Sequence, residues 1–356
     1  VTQVLIRTDS GQHIGSGHIM RCLTIANSLS RKGATVTFCC RNHSGHQAKV
    51  LEGFNVLQLS ESAQYIQGDG DYPHSHWLGC TEAQDAEDTL EAVKHKGIKP
   101  DWIIVDHFSL GAQWESRVAT ETQSQIVVID GLRDRPHQCQ MLIDPTLNSR
   151  PCSPSDGRVY IGPWNIPLRE EFRGVNPSLR TQLKKVFVCF GGVDKDDVTG
   201  QVCQVLLQRS LRQELDRVDV VVGASYPHIE RLEALCRQHA NYLNLEVQSS
   251  QISQLMEQAD LAIGAGGGIS WERCAAALPA LCWTIADNQS VPNEQLAKLN
   301  AIMHLGKVTT ALEQQLESAI WSLINQPNQL QLMSQSAKKV MQGWQKRSVW
   351  MAELIN

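Results

Sequence analysis

Along the chain, short runs of consecutive apolar residues alternate with longer stretches in which apolar side chains recur every three to four positions. The runs are VLIR near the start, TVTFCC, WIIVD at 102–106 and IVVID at 126–130; the amphipathic stretches are 18–31, 44–52 and 111–124. Strands that are apolar at every position are buried on both faces, which predicts a parallel sheet covered by helices. The alternation breaks between about 131 and 184, a segment that carries seven of the thirteen prolines. Such composition predicts a linker or a cleft-lining segment, with a domain boundary near 165–184.

The pattern then restarts with KVFVCF at 185–190, a helix over 197–208, RVDVVV at 217–222, a helix over 228–239, LNLEV at 243–247 and a helix over 251–258. DLAIGA at 260–265, a helix from 268 and PALCW at 279–283 follow. The fold class is therefore α/β, with two Rossmann-like parallel-sheet domains, 1–170 and 184–340, and a terminal helix in 341–356 packing back on the first. Two such domains facing each other enclose a deep interdomain cleft, and open α/β sheets bind ligands at the carboxyl ends of their strands.

Composition narrows the functional classes. The 356 residues are 42% hydrophobic and 19% charged, with a net charge of −5 and no basic run longer than a pair. A nucleic-acid partner would need a basic stripe, which is missing. No apolar stretch reaches the length of a bilayer span and the first residues lack the pattern of a secretory signal, so a cytoplasmic protein without a membrane partner is expected. The eleven cysteines are odd in number and form no CxxC pair, which predicts reduced core residues.

Candidate chemistry lies in the loops after the strands. The first strand runs into RTDSGQHIGSGHIMRC, where Gly15 and Gly17 permit a tight turn and His18 falls at a helix start. A dinucleotide fingerprint would need a glycine where Met20 stands and an acidic residue after Cys39-Cys40-Arg41. A neutral histidine at a helix N-terminus can serve as a base or simply as a cap or buried residue. Asp9, Asp106, Asp130 and Asp144 each end a strand; capping is the ordinary role for such residues, and the Asp106-His107 pair is the one singled out for function. In the second domain, Gly267 and Gly268 precede a helix whose free N–H groups suit a diphosphate, and Glu272 can accept bonds from ribose hydroxyls. Gly191-Gly192 ends the first strand of that domain; neither loop has the Lys-Ser/Thr of a P-loop. His74 and His76 lack a third ligand at suitable spacing, so no metal is expected.

The order of RTDSGQHIGSGHIMRC, VDHFSLGAQWE, PLREEF, VCFGGVD, GGISWERCAAALPA and DNQSVPNEQLA, from about residue 3 to 300, resembles the UDP-2,4-diacetamido-2,4,6-trideoxy-beta-L-altropyranose hydrolase family of pseudaminic acid biosynthesis. The second-domain motifs alone also resemble the wider GT-B group, including the peptidoglycan N-acetylglucosaminyltransferase. The resemblance implies a GT-B fold and a metal-independent enzyme; no cofactor and a monomeric state are expected beside it. The enzyme would release UDP from its small-molecule substrate by water attack at the anomeric carbon, with C–O cleavage and inversion.

In that family the catalytic histidine lies in IGxGH, which is His18 in this chain. The resemblance further assigns substrate contacts to Asp9, Gly15, Gly17, Asp106, His107, Phe108, Arg169, Gly191 and Gly192. In the second domain it assigns Gly267, Gly268, Ile269 and Ser270 to the diphosphate, Glu272 to the ribose, Asn288 and Gln289 to the sugar or diphosphate, and backbone from Val247 to Ile252 to uracil. Phe108 stands where relatives commonly carry tyrosine, and segments 60–90 and 145–160 exceed the compact form of the family. The alternatives are a GT-B glycosyltransferase, with an acceptor hydroxyl in place of water, and a nucleotide-sugar binding protein without catalysis.

Overall fold

A computed structural model describes residues 1–61, 72–148, 157–346 and 349–355. The chain divides into unit 1, Val1–Pro167 with Gln345–Asn356, and unit 2, Leu168–Trp344. Among the described residues, unit 1 holds β1 (Gln3–Thr8), β2 (Thr35–Arg41), β3 (Asn55–Leu59), β4 (Trp102–Asp106), β5 (Gln125–Ile129), β6 (Met141–Asp144) and β7 (Arg158–Ile161). They form one sheet in the order β3-β2-β1-β4-β5-β6-β7, and every pairing is parallel.

Because side chains alternate across a strand, the apolar runs feed two cores at once. Val4, Ile6, Phe38, Ile104 and Ile129 pack against Ile19, Cys22, Ile25 and Leu29 of helix Gly17–Arg31. Leu5, Ile103, Val105, Ile126 and Val128 face Ala86 and Val93 of helix Glu82–His95 and Trp114 and Val118 of helix Ala112–Thr122. Trp350, near the end of the chain, is fully buried in the first of these cores, and its indole N–H donates to the Asn165 carbonyl at 2.7 Å.

Unit 2 repeats the plan with β8 (Lys185–Cys189), β9 (Arg217–Val222), β10 (Leu243–Val247), β11 (Leu261–Ala265), β12 (Ala280–Thr284) and β13 (Ile302–Lys307), in the order β10-β9-β8-β11-β12-β13. Val186, Val188, Val220, Ile263, Leu281 and Trp283 lie in its core. The ten cysteines of the described residues are buried free thiols. Among the described residues no helix is long and apolar enough to cross a membrane.

Each sheet has one point where the connections turn to opposite sides. In unit 1 it lies between β1 and β4, whose register sets Thr8 opposite Asp106; in unit 2 it lies between β8 and β11, with Cys189 opposite Gly264. Loops leaving the carboxyl ends of such a strand pair diverge and leave a crevice where ligands bind.

The structure corrects the reading of several segments. The proline-rich stretch after 131 contains two further sheet strands, β6 and β7; each has four residues, too few for a periodic signal beside the prolines. The stretch 44–52 yields only a 3-10 turn at Ala48–Leu51, followed by β3, and helix Glu82–His95 had no counterpart in the pattern reading. Of segments 60–90 and 145–160, expected to be longer than the compact form, 62–71 and 149–156 lie outside the described residues.

Candidate functional site

In unit 1 the site is built on a single carboxylate. Helix Gly17–Arg31 starts directly after the β1 loop. Residues at i, i+3 and i+4 share a helix face, so His18, Arg21 and Cys22 point together at Asp106, the last residue of β4. The His18 Nδ1 lies 2.7 Å from Asp106 Oδ1. Arg21 donates Nε to Oδ2 at 2.7 Å and Nη2 to Oδ1 at 2.5 Å, and the Cys22 thiol donates to Oδ2 at 3.4 Å. Burial works to raise the Asp106 carboxyl, but Arg21 and then His18 outweigh it, holding Asp106 far below the usual carboxylate range. An ionised Asp106 favours the tautomer with hydrogen on Nδ1, which leaves the Nε2 lone pair as the basic site of the ring. The His18 side chain is therefore not a helix cap, and Ser16 at the N-cap position makes no side-chain cap bond either.

The apolar side of the His18 ring is walled by aromatics. Phe108 meets it edge-on with ring centroids 4.5 Å apart, and Trp77 lies 6.2 Å away. His74 lies against Trp77 with ring centroids 4.4 Å apart and the planes tilted by 42°, so it belongs to this wall; burial lowers its basicity. The Arg135 guanidinium sits 5.7 Å from the Phe108 ring centre and is fixed by the carbonyls of Leu110 and His107.

Asp9 and His107 are buried in a second network beside this one. Asp9 has no exposed surface. Its oxygens accept both Nη atoms of Arg7 at 2.5 and 3.0 Å, the Arg41 backbone N–H at 2.7 Å and His43 at 3.2 Å. Against the cost of burial, Arg7 and the neighbouring histidines hold Asp9 well below its ordinary range. The physical reason is charge balance, since Arg7 and Arg41 are themselves buried and need carboxylates, which Asp9 and Asp85 supply. His107 is buried beside it, accepting the Ser109 N–H on Nδ1 at 3.1 Å, with Nε2 at 3.1 Å from Asp9; burial lowers its basicity. Asp144 takes the ordinary role, accepting both the backbone and hydroxyl of Thr146. Asp130 accepts the Arg133 N–H. Gly15 carries φ +78 in the turn before the helix, and a side chain at Gly15 or Gly17 would meet open space.

In unit 2 the glycines fall into two kinds. Gly264 and Gly266 are packing glycines: a Cβ there would drive into the Cys189 carbonyl or the Asn293 amide. Gly191 (φ +98), Gly267 (φ +105) and Gly268 border open space, which leaves backbone bare for a ligand. Gly192 lies against Gly223, and Ile269 opens helix Ile269–Ala275 half-buried.

The other candidate residues of unit 2 have the following surroundings. Ser270 is buried, its N–H donating to the Gly267 carbonyl at 3.0 Å and its Oγ accepting from Arg273 at 2.8 Å. Each carboxylate oxygen of Glu272, expected at a ribose, already accepts from Arg169, at 2.7 and 2.5 Å. Arg169 is thus half of a bidentate pair. Gln289 Oε1 accepts the Ile285 N–H at 3.1 Å, whereas Asn288 Oδ1 is buried without a partner. Ile252 is buried at the start of helix Ile252–Gln258, while Val247 is exposed. Arg21, Trp77 and Arg135 border His18 or Phe108 without being candidates from the sequence; only Arg21 carries a usable signal, its i+3 spacing from His18.

The two parallel sheets, each with a loop site at its point of reversal, define the class: the fold is GT-B. It is similar to the crystal structure of MurG from Acinetobacter baumannii, with TM-score 0.59 and 16% identity over 96% of this chain and 95% of that one. It is also similar to the spinosyn rhamnosyltransferase SpnG complexed with spinosyn aglycone, with TM-score 0.65 and 14% identity over 98% of both chains. By sequence, the chain is 23% identical over 263 residues to the UDP-2,4-diacetamido-2,4,6-trideoxy-beta-L-altropyranose hydrolase of Campylobacter jejuni, covering 72% of this chain and 82% of the relative. It is 25% identical over 312 residues to the spore coat polysaccharide biosynthesis protein SpsG of Bacillus subtilis, covering 85% and 83%. No protein-family model matches the chain.

Proposed function

We propose that the protein is an enzyme acting on nucleotide sugars, and specifically that it hydrolyses UDP-2,4-diacetamido-2,4,6-trideoxy-beta-L-altropyranose to UDP and the free sugar, a step of pseudaminic acid biosynthesis. The observation that carries the reading is the His18 ring held through Nδ1 by Asp106, in a chain similar to a hydrolase of that substrate. In the proposed step His18 Nε2 takes a proton from water, the water oxygen bonds to the anomeric carbon, and the bond from that carbon to the diphosphate oxygen breaks with its electron pair leaving on UDP. Attack opposite the leaving group inverts the centre. A positioned base contributes about 10²–10⁴-fold, and the bare backbone at Gly267 and Gly268 is the proposed seat of the departing diphosphate.

The test is to mix the protein with that UDP-sugar in the presence of EDTA and to follow UDP and free sugar by NMR. Stoichiometric release of both, the sugar first appearing as the inverted anomer, is expected of a metal-independent hydrolase. Loss of turnover in EDTA would overturn metal independence. The second reading is a glycosyltransferase, favoured by the fold shared with a rhamnosyltransferase; an intact substrate consumed only after an acceptor sugar is added would replace hydrolysis with transfer. We propose that the enzyme acts as a monomer, and a dimer mass in light scattering would refute that.

A further inference from the structure

We infer that Arg21 is a positioning residue for the His18 base, locking the Asp106 carboxylate in the one orientation that presents His18 Nε2 to water. The inference rests on the reading of His18 given above. Three donors from a single helix face converge on Asp106, and they are not equivalent. His18 uses one nitrogen at 2.7 Å and Cys22 a weak thiol bond at 3.4 Å. Arg21 alone spans both oxygens, at 2.7 and 2.5 Å, and a planar fork fixes the rotation of a carboxylate as a single donor cannot. Asp106 itself is fully buried and the Arg21 side chain is 21% exposed, so the arginine edges the crevice while acting through the carboxylate behind the histidine.

Arg21 also borders the ring directly. Its Nη2 lies 3.3 Å from His18 Nδ1, on the side of the ring that faces Asp106. The other titratable groups facing this cluster are the Cys22 thiol, pushed well up by burial and Asp106, His74 from the turn at Ser75–Trp77, and Asp130 at the end of β5. None of them forks Asp106. The consequence for the arginine follows from its shape, the fork that holds the carboxylate and through it one ring nitrogen of His18.

The experiment compares Arg21→Met and Arg21→Lys with the unaltered full chain, using steady-state kinetics on the UDP-sugar and the ring-nitrogen chemical shifts of isotopically labelled His18 by NMR. Arg21→Met is expected to lower kcat about 10–100-fold with KM within about twofold. It also replaces the single Nδ1–H tautomer of His18 with a mixture of both, because a carboxylate free to rotate no longer holds one ring nitrogen. Arg21→Lys keeps the charge and loses the fork, so kcat falls and the tautomers mix in the same way. Unchanged kcat in either variant overturns the inference, as does a fall in Arg21→Met with the single tautomer retained. If Arg21→Met fails to fold, Arg21→Lys decides by the same criteria. The tautomer is read without substrate, so an absence of turnover in the unaltered enzyme sinks the hydrolase reading alone, while a retained single tautomer sinks this one.

Discussion

At the residue scale, two buried networks in unit 1 separate chemistry from scaffolding although both are made of aspartate, arginine and histidine. Around Asp106 one participant, His18, keeps a ring nitrogen free of the carboxylate. Around Asp9 and Asp85 every charged group is consumed: Asp85 accepts from Arg7, Arg41 and the Trp114 indole. His18→Ala is therefore expected to lower kcat by about 10²–10⁴-fold while leaving the urea unfolding midpoint in place. Asp85→Ala does the reverse. It removes the carboxylate shared by two buried guanidiniums, leaving Arg7 with Asp9 and Arg41 with Asp88, and is expected to cost about 3–5 kcal/mol of stability, measured by equilibrium urea denaturation.

At the element scale, the loop after β5 is tied to helix Ala112–Thr122 through a charged histidine. His137 Nδ1 lies 2.7 Å from Glu115, its Nε2 faces Asp130 at 3.6 Å, and the Gln138 N–H adds a further bond to Glu115. Burial opposes the charge, but Asp130 and Glu115 prevail and raise the imidazole from 6.5 to about 9. A folded-state value above the unfolded one means stability that is fully present below pH 6.5 and lost as pH rises through about 9. The loss is expected to be about 3 kcal/mol, seen as a falling urea midpoint between pH 6.5 and 9 that His137→Gln flattens.

The glycine loop of unit 2 carries a contrast of the same scale. Gly264→Ala forces β8 and β11 apart at the Cys189 carbonyl and is expected to destabilise the unit by about 1–3 kcal/mol or more. Gly268→Ala meets open space, so it is expected to fold normally and, with the diphosphate seat proposed above, to weaken UDP binding about tenfold, measured by calorimetric titration with UDP.

At the scale of the whole molecule, the chain ends by returning to its first unit. Trp350 and Met351 fill the core under β1, and Glu353 meets Tyr160 and Arg158 beside β7. Trp350→Ala is expected to cost about 3–5 kcal/mol. The loss should fall on unit 1, with hydrogen exchange quickening in β1 and β4 while β8 and β11 keep their protection.

The alternation of apolar runs with amphipathic stretches already determined two parallel α/β sheets, because burial on both faces and helical periodicity are written in neighbouring residues. The glycine loops and the His18 helix start were legible for the same reason. Tertiary structure alone decided which aspartate serves the histidine. Asp106 and Asp9 both end apolar strands, but Asp106 stands 88 residues from His18 and meets it only through the register of β1 with β4. The pairing of β1 with β2 brings Arg41 to Asp9, and helix Ile269–Ala275 brings Glu272 to Arg169 across 103 residues. Short-range patterns fix what each segment becomes, since backbone sterics and solvation act locally. Pairing between buried charges depends on which strand ends are brought level, and no local pattern records that.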